Sequence, residues 1–99
     1  TAVSETNSCY ITVTDDEILA AIPALAQGCG VFAEPAGATA YAGLVKAVAS
    51  NLVDPQERIV VINTGNGLKD IQAAMQGVAQ AGIRPFHVQP SLTAVQAVL

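Results

Sequence analysis

Ile59-Val-Val-Ile-Asn-Thr-Gly-Asn-Gly-Leu-Lys-Asp70 runs from a continuous apolar stretch directly into a turn with two glycines, and an amphipathic segment follows. A run of Ile and Val that does not alternate with polar residues reads as a strand buried on both faces, the habit of parallel sheets. Such a strand delivers Thr64 and the turn after it to the carboxyl edge of the sheet, where open α/β folds bind small ligands. As a nucleotide loop the turn fails. It is too short for a P-loop and no Ser or Thr follows Lys69, while Asp70 stands where a dinucleotide fingerprint needs its third glycine.

Working outward, Arg58–Asn63 is one of four expected strands, with Ser8–Thr14, Val31–Glu34 and Pro85–Val88 as the others. Thr14-Asp-Asp-Glu17 has the pattern of a capping box, and Ile18, Ile22, Leu25 and Cys29 then recur at helical spacing. Pro23 should kink or divide that helix, and Gly28 and Gly30 should end it. Pro35 suits the first turn of a second helix over 36–50, whose small residues nearly all round predict close packing against a sheet. A third helix is expected from Leu68 to about Ala81, with Ile71, Met75, Val78 and Ala79 on one face and Gly82 as its stop. Ser91 should cap a last helical segment. The order βαβαβαβα makes the fold class α/β, a three-layer αβα segment with mostly parallel strands that lacks partners for its sheet.

Composition limits what the chain can be. Its 99 residues allow at most one small domain, yet 52% are hydrophobic and 12% charged, with a mean hydropathy of +0.45. An isolated domain of this size needs more charge to remain monomeric, so a part of something larger, or a self-associating chain, is expected. The first residue is Thr1, not Met, in keeping with a trimmed or excised piece. No run approaches the roughly 20 apolar residues of a membrane span, and the N-terminus has no signal-peptide pattern. A net charge of −4, with Lys46, Arg58, Lys69 and Arg84 scattered, argues against nucleic acid as a partner. Cys9 and Cys29 lack metal or disulfide spacing and read as buried cytosolic thiols, and His87 is a strand residue without a second His, so no metal site is expected. Tyr41 should lie in the core, and Asp15, Asp16 and Glu17 form a solvated helix start favoured by the helix dipole.

Glu34-Pro-Ala-Gly-Ala38 is a second strand-to-helix junction, and its carboxylate stands either as a helix-capping acid or at the lip of a site. Glu34-Pro-Ala-Gly-Ala38, followed some thirty residues later by Thr64-Gly-Asn-Gly-Leu-Lys-Asp70, resembles the C-terminal part of the threonine synthases. These are fold type II pyridoxal-phosphate enzymes related to the tryptophan synthase β-subunit. The likeness covers roughly residues 10–80, and its first motif is shared with threonine and serine dehydratases. It implies that residues 1–99 are a single C-terminal partial domain of such an enzyme. It further implies that the Thr64 hydroxyl hydrogen-bonds the cofactor's pyridine nitrogen without holding it protonated, which tempers the ring as an electron sink.

Gly65 and Gly67 would let the backbone pass beneath the ring, Asn66 belongs to the same cofactor-binding turn, and Glu34 lies near the pocket's edge. Lys69 is left with shaping the turn. The family's covalent (Schiff-base) lysine and phosphate loop have no counterpart here, so no catalytic residue is assigned, and neither activity nor stable cofactor binding is expected of the chain alone. The implied partners are the rest of the parent enzyme and, in the intact protein, an amino-acid substrate; the implied location is cytoplasmic. The alternatives are a fragment of a dehydratase and a free-standing, non-catalytic interaction domain.

Overall fold

Three of the helices begin on a side-chain cap, from Thr14, Asp70 and Ser91. The computed structural model describes residues 1–99 and contains five helices: α1 (Ala2–Glu5), α2 (Asp15–Cys29), α3 (Pro35–Ala49), α4 (Ile71–Gln80) and α5 (Leu92–Gln96), with a 3-10 turn at Gly67–Lys69 before α4. At α2 the expected capping box forms. The Glu17 N–H donates to Thr14 Oγ1 at 3.2 Å and the Thr14 N–H donates to Glu17 Oε2 at 2.6 Å. Gly30 ends the helix in the left-handed region at φ 72°, where a side chain would be strained. Ser91 caps α5 through the Ala94 N–H, and the one-turn α1, which buries nothing, carries no sequence signal.

Pro23 does not divide α2, which is continuous through it. Proline lacks the N–H that would bond the carbonyl of Leu19. The structure places Gly77 of α4 against that carbonyl, since a Cβ built on Gly77 would lie 2.9 Å from the Leu19 oxygen. Two local exceptions therefore fit each other at one crossing. The buried face of α4 is accordingly Ala74 and Gly77, while Ile71 and Met75 remain exposed on the side that faces away from α2.

The core is small and built from alanine. Ala21 and Ile22 of α2 pack with Ala33 and with Ala38 and Ala42 of α3, and Val13, Ile18, Leu19, Leu25 and Tyr41 close around them. Tyr41 is half-buried, in keeping with its expected place. Lys46 braces this pair of helices from outside, with its Nζ donating to the Thr12 carbonyl at 2.7 Å and lying 3.8 Å from Glu17.

No strand ladder forms. Residues 8–14, 31–34, 58–63 and 85–88 run outside the helices as expected, but their only bridge is antiparallel, between Ala33 and Asn66. The parallel sheet is therefore not made by these residues among themselves, and the run read as a buried strand is exposed, with Val60 at 86% and Ile62 at 71%. A strand is buried by neighbours on its edges and faces, and for 59–62 this chain supplies α3 beside one face, where Ile59 and Val61 are 39% and 36% exposed, and no hydrogen-bonded strand on either edge. Cys9 and Cys29 correct the sequence reading in the same way: both are exposed, because the surfaces they would pack against are not within the chain.

The shape is open. The radius of gyration is 17.1 Å, whereas a compact 100-residue domain has about 13 Å. The accessible surface is 7404 Å², against about 5,300 Å² for a compact protein of this mass.

Two consequences can be measured. The isolated chain should associate through its uncovered apolar segments, giving a light-scattering mass that rises with concentration; a constant monomeric mass would refute this. Glu17 is held below the ordinary glutamate value of 4.5, chiefly by the Thr14 backbone N–H and further by the Lys46 charge. A lowered folded-state value stabilises the start of α2 above the unfolded-state value, and the contribution is lost as pH falls through the folded one. Helicity followed by circular dichroism should decline on that acid limb, and Glu17→Gln should flatten the decline.

Candidate functional site

The two strand-to-helix junctions, some thirty residues apart in sequence, are one structure. The Glu34 N–H donates to the Gly65 carbonyl at 3.1 Å and the Gly67 N–H donates to the Phe32 carbonyl at 2.9 Å. These paired bonds clamp Ala33, fully buried, against Asn66. Three glycines make the approach possible. A Cβ on Gly67 would fall on the Phe32 ring, and one on Gly65 would fall on the Glu34 carboxylate. One on Gly37, in the first turn of α3, would collide with the Asn63 side-chain oxygen and lie 3.0 Å from the Gly65 carbonyl.

Glu34 occupies the N-cap position of α3 but makes no side-chain cap hydrogen bond. Its carboxylate folds over Gly65 instead and meets Lys69, with Oε1 3.6 Å from Nζ. The carboxylate side chain is 17% exposed and the lysine 66%. Of the two readings of Glu34, the structure shows the N-cap position without the capping hydrogen bond. The 3-10 turn performs the reversal that returns Lys69 to Glu34. It is started by Asn66, whose Oδ1 accepts the Leu68 N–H at 2.9 Å, and α4 then starts on Asp70, whose Oδ1 accepts the Ala73 N–H at 3.0 Å.

Thr64 is exposed, and its hydroxyl makes no hydrogen bond within the chain. The turn thus presents an exposed hydroxyl beside two buried glycines whose open sides are filled by the Glu34 carboxylate and the Phe32 ring. An exposed hydroxyl held on so fixed a turn can serve as the one hydrogen-bond partner that the polar edge of a flat heteroaromatic ring needs. Both lysines are engaged, Lys46 with Thr12 and Glu17, Lys69 with Glu34. Thr64, Gly65, Asn66, Gly67 and Glu34 are therefore all brought together. Phe32, Gly37, Asn63 and Lys69 complete the assembly. Of these, only the glycine within Glu34-Pro-Ala-Gly37 carried a usable signal, because an interior helix glycine implies close approach of other backbone. No group of three His, Cys, Asp or Glu side chains lies together.

Because the Phe32 ring occupies the place of a Gly67 Cβ, Gly67→Ala should destabilise the parent protein by about 1–3 kcal/mol. Thermal unfolding of the variant, alone and combined with Phe32→Leu, checks this. The shorter side chain should recover part of the loss, and strictly additive effects would contradict the contact.

Comparison with known proteins bears on what this assembly is. The family model described as pyridoxal-phosphate dependent enzyme matches residues 1–65. A threonine synthase of Halalkalibacterium halodurans is 48% identical over 77 residues, covering 78% of this chain and 22% of that protein. A threonine synthase of Methanocaldococcus jannaschii is 40% identical over 87 residues, covering 88% and 20% respectively. A third, from Mycobacterium tuberculosis, is 40% identical over 81 residues, covering 82% and 22%. The chain thus spans about a fifth of the length of the curated relatives it matches. The matched family supports the α/β class, and no helix is long and apolar enough to cross a membrane. Both motifs of the site fall inside the stretches aligned to these relatives, and the chain belongs to the pyridoxal-phosphate dependent enzyme family and matches a segment of threonine synthase.

Proposed function

We propose that this chain is the C-terminal segment of a threonine synthase, a single partial domain that supplies the pyridine-ring side of the cofactor site. The observation that carries the reading is the clamp between Phe32–Glu34 and Gly65–Gly67, which fixes the turn and leaves the Thr64 hydroxyl exposed and unbonded at its edge. In the intact enzyme that hydroxyl holds the ring nitrogen, Gly65 and Gly67 give the ring clearance, and Asn66 keeps the turn in shape through its bond to Leu68. Glu34 stands at the edge of the pocket. Pyridoxal phosphate supplies the electron sink that lets O-phosphohomoserine lose phosphate and take up water to give threonine. A neutral hydroxyl partner suits that chemistry because it orients the nitrogen without adding a charge.

The remainder of the parent completes the fold as well as the site. Its strands pair with residues 8–14, 31–34, 58–63 and 85–88 to form the mostly parallel sheet, covering Ile59–Ile62 on both faces. It also supplies the covalent lysine and the phosphate loop. Alone, the chain is inert and retains no cofactor, because one hydrogen bond to a ring nitrogen cannot replace those two anchors. The intact protein works in the cytoplasm.

The test is to assay the full-length parent for phosphate release from O-phosphohomoserine. Phosphate and threonine should appear together, whereas α-keto acid and ammonia as the only products would identify a dehydratase. Thr64→Ala in that enzyme should lower turnover by about 10-fold or more and shift the cofactor absorption band. Unchanged spectrum and unchanged turnover would remove Thr64 from the site.

A further inference from the structure

Glu34 places a negative charge directly on the turn that carries Thr64. Its carboxylate packs over Gly65, the residue after Thr64, is mostly shielded from water at 17% exposure, and does not serve the N-terminus of α3. A carboxylate there, left uncompensated, favours a proton on any nearby basic nitrogen. The cation that meets it is Lys69, 3.6 Å from Oε1. Lys46, the other lysine, is held at Thr12 and Glu17, and Asp70 beside Lys69 has an oxygen engaged by the Ala73 N–H at the head of α4.

We infer that Lys69 is a charge-compensating positioning residue: its ammonium group offsets the Glu34 carboxylate, so that a ring nitrogen held by Thr64 stays neutral. The inference rests on the proposed contact between Thr64 and the cofactor. The 3-10 turn over Gly67–Lys69, capped by Asn66, carries Lys69 on the Glu34 side of the clamp. Lys69 touches neither the ring nor a reacting atom in this assignment; it acts through the charge on Glu34. A purely structural clamp would need only that the two side chains touch. Charge compensation demands in addition that removing either charge displace the nitrogen's titration, in opposite directions.

The experiment uses the full-length parent loaded with pyridoxal phosphate labelled with 15N at the ring nitrogen, and follows its 15N chemical shift against pH. Because Lys69 is exposed and acts through largely water-like surroundings, Lys69→Met should move the titration midpoint upward by about half a pH unit. Lys69→Arg should titrate like the unmodified protein. Glu34→Gln should move the midpoint downward, and the Glu34→Gln/Lys69→Met pair should return it towards the original. A Lys69→Met midpoint that does not move, or a double variant no closer to the original than Lys69→Met, would overturn the inference. If Lys69→Met does not retain the cofactor, Glu34→Gln decides alone, and an unmoved midpoint there overturns it. A parent that takes up no pyridoxal phosphate at all refutes the cofactor reading itself, a result distinct from a loaded protein whose midpoint ignores both charges.

Discussion

The pair of backbone hydrogen bonds between Phe32–Glu34 and Gly65–Gly67 is the constraint on which this structure depends. Without it, the segment after α3 would be held only by the crossing of α4 on α2 and by the apolar stretch 59–62 beside α3, and the turn that carries Thr64 would be an ordinary loop. The bonds require two main chains to lie closer than side chains allow. Glycine at positions 37, 65 and 67 removes the obstructing atoms, and Phe32, Glu34 and Asn63 occupy the vacated space. A geometric necessity at three positions thus becomes a functional arrangement. The same closeness that permits the clamp strips the turn of side chains and leaves one hydroxyl accessible.

A similar economy governs the helices. Alanine dominates the core, and the crossing of α2 with α4 occurs where Pro23 has freed the Leu19 carbonyl and Gly77 offers no Cβ. Small residues set short distances between helices, so the larger apolar side chains of α4, Ile71 and Met75, turn away from α2. Ile71, Met75 and the stretch Ile59–Ile62 are all left exposed, and the chain is open in shape. The stretch aligned to its matched relatives is only about a fifth of their length.

Much of this was legible along the chain. The capping box at Thr14, the glycine stop at Gly30, Pro35 in the first turn of α3 and the Ser91 cap all depend on neighbours within four residues, and all four stand where the residue types place them. Reading 58–63 as a buried strand went wrong for the opposite reason. Burial is a property of what lies alongside, and the apolar run specified a demand for neighbours without supplying them. The exposed thiols of Cys9 and Cys29 follow the same logic.

By itself the sequence determined the helices, their ends and the two motifs, because capping, propensity and backbone freedom act over a few residues. It also determined that the motifs belong together in kind, through their likeness to one family. Only the tertiary structure decided that they touch, that Glu34 leaves its own helix to lie on Gly65, and that Lys69 returns to meet it. Those contacts span some thirty residues, and their existence depends on how closely two backbones can approach. Spacing along a chain does not encode that distance; the absence of three Cβ atoms, seen in three dimensions, does.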